Sequence, residues 1–253
     1  MSQTVGAILE LLNAIAPLEL AEEWDNVGLL AGRMDAPVDA VLCALDLNRR
    51  VLDEAVERGA QLIVTHHPIL FRGRKNLRED DAEGRLLCAL VRSGVAMIAM
   101  HTNYDNARPG VNDALAVALN LRDVEALENG MRLGAVDETD FGLFATEAEL
   151  ILGGPIRCYG DFGRKIGRVA VLGGAGEDFI PQAMAAGADV YLTGEAAYHK
   201  ALDAADNGLC VLEAGHAATE LPGILALADA LQNAADAVQY KVRVLRSEAG
   251  LFL

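Results

Sequence analysis

The chain has 253 residues, 52% of them hydrophobic, and a formal net charge of −16 at pH 7. This length allows one large domain or two modest ones with real cores. No run of lysine or arginine supplies the basic face that general nucleic-acid binding needs. No apolar run approaches the roughly 20 residues that span a bilayer. These features argue against membrane insertion and against nucleic acid as a partner.

The N-terminus and the cysteines indicate the compartment. No basic segment followed by a cleavage-like site opens the chain, so no signal peptide is visible. The cysteines are far apart, with no C-x-x-C pair, and most of them lie in apolar runs. Small buried thiols fit this pattern better than a disulfide framework or a thiolate metal site. We therefore expect a cytoplasmic protein.

The first half of the chain alternates helix and strand signals. Helical patterns cover residues 4–15, 49–60, 82–94 and 110–119. Short apolar strands of the buried type cover residues 40–45, 62–65 and 95–100. Continuous apolar strands between helices indicate a parallel sheet that is covered on both faces.

Residues 131–160 differ, with short strand signals in "MRLGAVD", "FGLFA" and "PIRCYG". Between the last two, Thr146 and Glu149 match a capping box that would start a helix. The α/β alternation then returns. Strands are expected at 168–174, 190–193 and 209–215, and helices at 177–186, 196–206 and from about 222. The tail, 238–245, alternates like an edge strand.

An internal repeat relates the two halves. Residues 41–67 align with residues 169–195 at a constant offset of 128, so that Gly59 meets Gly187 and Thr65 meets Thr193. After a connector of different length, "VAMIAMHTNYD" aligns with "CVLEAGHAATE". We predict an α/β fold of two related three-layer halves, 1–125 and 126–253, with mostly parallel or mixed sheets. The halves would be intertwined, the C-terminal segment packing back on the first, and the site would lie between them at the C-terminal strand ends.

The histidines mark those strand ends. His66, His67, His101 and His216 each follow a predicted strand, and His199 lies on a helix nearby. A lone histidine would be read as a hydrogen-bonded structural imidazole. Four at equivalent strand ends favour a metal site instead.

Prolines shape the local backbone of this group. Neighbouring strand residues face opposite sides of a sheet, but Pro68 ends regular pairing and lets the rings of His66 and His67 turn to one side. Pro109 and Pro222 disfavour a helix directly before them. We therefore expect the two H-x-x-x-acid motifs to be loops that enter helices.

The ligand chemistry suggests a pair of ions. Imidazole and carboxylate without cysteine suit Zn, Fe, Mn, Co or Ni. The candidate ligands are too many for one open tetrahedral ion: His66, His67, Asp105, His216 and Glu220. Two divalent ions about 3.5–4 Å apart, with a bridging carboxylate and a bridging water, would accommodate them. Their excess positive charge would attract a phosphate or another anion.

The motifs resemble a known family. "EEWDNVGLLAG", "THHPILF", "HTNYD", "YLTGE" and "GHAATE" are similar, in order, to the motifs of the dinuclear-metal-centre hexamer family. Its members are commonly labelled GTP cyclohydrolase I type 2 homologues, and this chain resembles the short form without an inserted middle domain. The resemblance implies a toroidal homohexamer with metal pairs facing its cavity. It implies the same five ligands, with Glu220 bridging and His101 as an additional ligand or a residue that orients one.

Further residues have two readings each. Glu195 is either a general acid/base or a salt-bridge partner. Asp25 and Asn26 either line the site or cap backbone amides at a corner beside Trp24. The turn "GGAG" at 173–176 is either structural or a phosphate cradle. The remaining pocket candidates are Asn103, Tyr104 and His199.

Two functions remain open from the sequence. The first is a metal-dependent hydrolase in which a metal-bridging hydroxide attacks an anionic, nucleotide-like or heterocyclic substrate. The second is a ring-shaped metal-handling or regulatory adaptor without catalysis. Polar neighbours such as Asn103, Tyr104 and Glu195 favour the first.

Overall fold

The computed structural model describes residues 3–249, which form two compact units. One unit contains residues 3–108 and 224–249, and the other contains residues 109–223. The boundary predicted at 125/126 thus falls inside the second unit, and the C-terminal residues group with the first. Among the described residues, no helix has both the length and the apolar character needed to cross a membrane.

The helices and strands follow the predicted alternation. The helices are α1 (Val5–Ile15), α2 (Arg49–Glu57), α3 (Ala82–Ser93), α4 (Thr102–Asn106), α5 (Val111–Ala118), α6 (Phe141–Leu152), α7 (Ile180–Ala185), α8 (Tyr198–Asp206) and α9 (His216–Ala237). The strands of the first half are β1 (Gln3–Thr4), β2 (Gly28–Ala31), β3 (Pro37–Val38), β4 (Ala40–Ala44), β5 (Leu62–Thr65) and β6 (Ala96–Ala99). The later strands are β7 (Arg122–Ala126), β8 (Arg132–Asp140), β9 (Arg157–Tyr159), β10 (Lys165–Ala175), β11 (Val190–Glu195), β12 (Cys210–Glu213) and β13 (Arg243–Arg246).

The first unit is built on a five-stranded sheet with the order β13-β4-β5-β6-β2. Its first four strands are parallel, and β2 pairs antiparallel with β6. β13 lies at an edge, as its alternating sequence predicted. Leu42 of β4 packs in a core with Val51 of α2 and Leu90 of α3, while Val41 on the opposite face is also buried. Both faces of this sheet are therefore covered, as expected for parallel strands.

The second unit contains a six-stranded mixed sheet with the order β7-β8-β10-β11-β12-β9. Its central strands, β10 to β12, are parallel, and the outer strands pair antiparallel. Val171 packs on one face with residues of α5 and α6, whereas Leu172 packs on the other face with residues of α7 and α8. This alternation gives three layers. The predicted α/β class with mixed sheets is confirmed.

The internal repeat is visible in strand register. Val41 lies opposite Leu62 in the first unit, and Val169 lies opposite Val190 in the second. Each number in the second pair is 128 higher, which is the offset of the sequence alignment. The two β-α-β segments therefore pair their strands identically.

The strands that follow the two β-α-β segments, β6 in the first unit and β12 in the second, differ from this offset by one residue more than the alignment of the histidines predicts. Thr65 lies opposite Ala99, and Thr193 lies opposite Glu213, so the structural offset here is 114. The alignment of His101 with His216 requires 115. The second unit has one extra residue between the strand and its histidine, at the level of Gly215, whose φ is 89°.

The prediction of a strand at "FGLFA" is wrong, because these residues begin α6. Phe141, Phe144 and Ala148 recur at helical spacing on the buried face. The proposed capping box is also wrong: Thr146 lies inside the helix and donates its hydroxyl to the carbonyl of Gly142 at 2.9 Å. Several apolar residues in succession satisfy a strand pattern and a buried helix face equally well.

The expectation that both H-x-x-x-acid motifs are loops is wrong as well. Asp105 lies in α4, and Glu220 lies in α9 four residues after His216. Pro222 is inside α9, where it removes one backbone donor from a 22-residue helix without ending it. Long helices tolerate such a loss when packing holds both sides.

Candidate metal centre

Three imidazoles of the first unit converge where β5 and β6 end. Ring nitrogens of His66, His67 and His101 lie within 4.8 Å of one another. His66 and His67 follow β5 directly, and their ring centroids are 4.9 Å apart. Thr65 donates its hydroxyl to the carbonyl of His67 at 2.7 Å, which folds the backbone just beyond the strand. Both rings therefore reach the same side once strand alternation ends.

Each of these imidazoles is oriented by an oxygen atom that accepts from Nδ1. The acceptor is the carbonyl of Met100 for His66, at 2.9 Å, and Oδ1 of Asp46 for His67, at 2.8 Å. Because a carbonyl or carboxylate oxygen accepts the bond, we assign the ring proton to Nδ1. Nε2 is then the nitrogen that would coordinate an ion. Histidines that bind metals commonly have this arrangement.

Asp25 orients the third imidazole and caps α4. Its Oδ1 accepts from Nδ1 of His101 at 2.9 Å, and its Oδ2 accepts from the amide and hydroxyl of Thr102 at 3.0 and 2.5 Å. Burial alone would raise the pKa of Asp25. The bonds from His101 and Thr102, with the charge of His101, outweigh burial and lower this pKa well below its usual range. Asp25 is therefore held as a carboxylate.

Asp105 adds a carboxylate to the cluster. It lies in the first turn of α4, and its Oδ1 is 3.6 Å from Nε2 of His66. Ligand atoms about 2.1 Å from one ion are themselves about 3–4 Å apart. The distance between Asp105 and His66 therefore fits two ligands of one ion.

The second unit presents its own imidazole and carboxylates. Nε2 of His216 is 3.2 Å from Oε1 of Glu220, one helical turn along α9. Nδ1 of His216 is 3.1 Å from Oε1 of Glu195, which ends β11. Glu195 thus contacts the ring nitrogen opposite the one beside Glu220. Glu195 lies at Nδ1 of His216, as Asp46 lies at Nδ1 of His67.

The glycine turn, residues 173–176, contains the irregularity at the end of β10 and leaves room for this pair. A Cβ atom on Gly174 would lie 2.5 Å from Oε1 of Glu220 and 3.3 Å from Nε2 of His216. Gly174 also has φ of 69°, which L-residues rarely adopt. The same turn is fastened by Asn112, whose Oδ1 accepts from the amide of Gly173 at 2.7 Å. The turn "GGAG" therefore serves close packing against Glu220.

The donor set of each unit fits a transition-metal ion. The first unit offers imidazoles with fixed tautomers and a neighbouring carboxylate, and the second offers an imidazole and a carboxylate one helical turn apart. Within residues 3–249 no cysteine belongs to either donor set, and Cys43 and Cys210 are buried as free thiols. Nitrogen and oxygen donors without sulfur suit Zn, Fe, Mn, Co or Ni.

The other predicted pocket residues are placed differently. Asn103 is fully buried and donates to the carbonyl of Ala16 at 2.9 Å, and Tyr104 is buried in the core of its unit. Asn26 donates to the carbonyl of Leu70 at 2.6 Å. His199 is exposed on α8, beside the ring of Tyr198.

Sequence reasoning missed Asp46. This residue lies two positions past the end of β4, at the same edge of the sheet as His67. A search for acidic residues after every parallel strand would have found it, since β4 neighbours β5 in the sheet.

Relatives of known sequence support the motif reading. A Clostridium acetobutylicum protein named GTP cyclohydrolase 1 type 2 homolog is 31% identical over 259 residues, covering 98% of this chain and 97% of that protein. A Streptomyces coelicolor protein of the same name is 38% identical, covering 86% of this chain and 82% of that protein. The resemblance to these homologues is confirmed.

A solved structure and a family model agree with these relatives. The crystal structure of a Bacillus cereus protein related to NIF3 superposes with a TM-score of 0.93 at 26% identity, covering 98% of this chain and 97% of that one. The model of the family described as Duf34/NIF3 (NGG1p interacting factor 3) matches residues 3–250. This chain, with its histidine-rich strand ends and repeated α/β units, belongs to the Duf34/NIF3 family.

Proposed function

We propose that this protein is a cyclohydrolase-like hydrolase that uses two divalent transition-metal ions on an anionic, nucleotide-like or heterocyclic substrate. The ligands in this proposal are the five predicted from the sequence: His66, His67, Asp105, His216 and Glu220. The observation that carries it is the oxygen partner at Nδ1 of each imidazole: His66 and His67 donate hydrogen bonds there, and Nδ1 of His216 lies 3.1 Å from Oε1 of Glu195. Such anchoring fixes ring orientation before an ion binds, which reduces the cost of assembling a site.

The bound ions would supply a Lewis acid and a water of lowered pKa. The residues of the chain would hold and orient them. Asp46 and Glu195 would keep the rings of His67 and His216 in place. Glu220, buried beneath the glycine turn, would act as the bridging carboxylate.

Proton transfer would fall to residues at the border of the cluster. Glu195 has a side chain that is 58% exposed, so that it can exchange protons with solvent while it contacts His216. His101 offers Nε2 to the cluster while Asp25 holds Nδ1. Glu195 as the carboxylic acid, or His101 as the imidazolium with Nε2 also protonated, would protonate a leaving nitrogen.

The proposed assembly follows the family resemblance. We expect copies of the chain to form a homo-oligomeric ring in the cytoplasm, with six subunits. The sites would face the enclosed space. Size-exclusion chromatography with light scattering would measure the mass of the assembly, and a monomer at micromolar concentration would contradict this part.

Metal analysis tests the site. Protein purified without added metal should carry about two ions per chain, and His66→Ala and Glu220→Ala should each lower that number. His199→Ala is the matched control, because His199 is exposed on α8 and should leave the metal content unchanged. A wild-type content below one ion, even after reconstitution, would refute the two-ion site.

Turnover tests the activity. Metal-loaded protein should hydrolyse at least one member of a panel of nucleotides and phosphoesters, and His66→Ala should abolish that hydrolysis. The second candidate is metal handling without catalysis, which is favoured by the 36% exposure of the His216 side chain. Rapid metal exchange without any turnover would support this alternative.

A further inference from the structure

A groove in the first unit borders the imidazole cluster. We call it the aromatic groove, and it is lined by residues 24–26 and 70–77. It encloses about 630 Å³. Sites for small organic ligands usually enclose about 300–1,000 Å³. The groove is therefore large enough for a nucleotide-sized molecule.

Two exposed aromatic rings form one wall. Trp24 is 60% exposed and Phe71 is 45% exposed. Their centroids are 5.7 Å apart at an interplanar angle of 66°. Large apolar side chains of this kind are usually buried, and their exposure in a groove marks a surface that can take an aromatic ligand.

Two cations of the groove have no ion pair within residues 3–249. Arg74 is held by Asp81 and Glu83 at 2.8 and 2.5 Å, but Arg72 and Lys75 are exposed and make no salt bridge there. This arrangement is notable in a chain whose net charge is −16. An anionic group would find two cations at the same groove.

The aromatic wall leads to the imidazole cluster. The ring of His101 is 6.3 Å from that of Trp24 and 6.2 Å from that of Phe71, edge to face in both cases. The ring of His101 is also 5.1 Å from that of His66 between centroids. A ligand on the aromatic wall would therefore extend toward the cluster.

We infer that the aromatic groove binds a small aromatic molecule that carries an anionic group, as a nucleoside phosphate does. Its ring packs against the wall formed by Trp24 and Phe71, and its anionic group pairs with Arg72 and Lys75. This inference rests on the proposed function in taking the imidazole cluster as the reacting end. The groove then selects the substrate.

Trp24 makes the test direct, because it is the only tryptophan of the chain. Its fluorescence is recorded while GTP is added to the full chain, both after chelation and after metal loading. Guanosine and inorganic tripolyphosphate are added in separate titrations. We expect GTP to quench the fluorescence and to bind at least about tenfold more tightly than either fragment, since each fragment lacks one of the two contacts.

Variants separate the groove from the metal centre. Phe71→Leu and the double variant Arg72→Ala/Lys75→Ala should each weaken GTP binding by about tenfold or more, with metal content unchanged. Arg50→Ala is the control for charge, because Arg50 is exposed on α2 and makes no salt bridge among the described residues. All these side chains are exposed, so the variants should fold, and circular dichroism checks this.

The outcomes distinguish the two proposals. GTP binding that depends on the groove residues, together with no turnover of any nucleotide or phosphoester in the panel, supports this inference and contradicts the proposed function. Hydrolysis that is unaffected by the groove variants supports the proposed function and overturns this inference. Absence of any GTP-dependent change at Trp24 up to millimolar concentration, or tighter binding of a single-stranded oligonucleotide than of GTP, also overturns it.

Discussion

Replacement of Gly174 by alanine tests whether the glycine turn shapes the candidate metal centre. The new Cβ would lie 2.5 Å from Oε1 of Glu220, a separation that real Cβ atoms essentially never show. The carboxylate must therefore move by roughly half an ångström or more, whereas metal ligands hold their distances within about 0.2 Å. We expect the metal affinity of Gly174→Ala to fall by about 10–100-fold, the loss typical when a ligand is displaced from its supported position.

Gly187→Ala is the matched control for this change. Gly187 has φ of 73° against 69° for Gly174, so both alanines pay a similar left-handed backbone penalty of about 1–2 kcal/mol. A Cβ on Gly187 would meet only the far end of Arg168, at 3.3 Å. The two variants should therefore lose stability from backbone strain alike, and Gly174→Ala should lose metal affinity in addition.

Two assays compare these variants. Calorimetric titration of chelated protein with Zn²⁺ or Mn²⁺ measures affinity, and thermal unfolding of the chelated proteins measures stability. Equal metal affinity in Gly174→Ala and Gly187→Ala would refute the argument that the turn must lack a side chain to accommodate Glu220. A large loss of affinity in Gly187→Ala would refute the assumption that its strain remains local.

Two further predictions concern carboxylates of the first unit. Asp46→Ala should weaken metal binding by about 10–100-fold because Nδ1 of His67 loses its acceptor. Asp46→Asn should keep part of the metal affinity, and the control Asp39→Asn, at an exposed position, should keep all of it. Equal metal affinities in the three variants would contradict the anchoring role. Glu54 is partly desolvated, which would raise its pKa, but its bonds from Ser247, nearby amides and Arg58 lower it below 4.5. Its folded-state pKa is thus depressed, so its stabilisation is present above about pH 4.5 and is lost as pH falls through the folded-state value. Thermal unfolding should show a shallower loss of stability below pH 4.5 in Glu54→Gln than in wild type, and identical slopes would contradict this assignment.

The parts of the fold that sequence predicted well are those governed by local patterns. β5 was expected at residues 62–65 and has those bounds, because four apolar or β-branched residues stand between turn signals. The internal repeat was also predictable from sequence, because a glycine follows the helix at the same position in both copies. Gly59 and Gly187 both have positive φ.

Contacts between distant residues defeated the sequence reasoning. Thr102 begins α4 because Asp25, 77 positions earlier, accepts its amide hydrogen. No local rule reveals such a cap, and Pro109 by itself therefore predicts a loop where the structure has a helix. The role of Asp46 was hidden for a similar reason, because its contact with His67 depends on the adjacency of β4 and β5.

The two contacts of Asp25 also have a consequence for dynamics. α4 has five residues, too few to persist alone in water, because helix nucleation is costly. The same carboxylate that caps this helix holds the ring of His101, and the helix carries Asp105. Fraying of α4 would therefore displace Asp105 and disturb the contact of Asp25 that holds His101, so that these two side chains would open together.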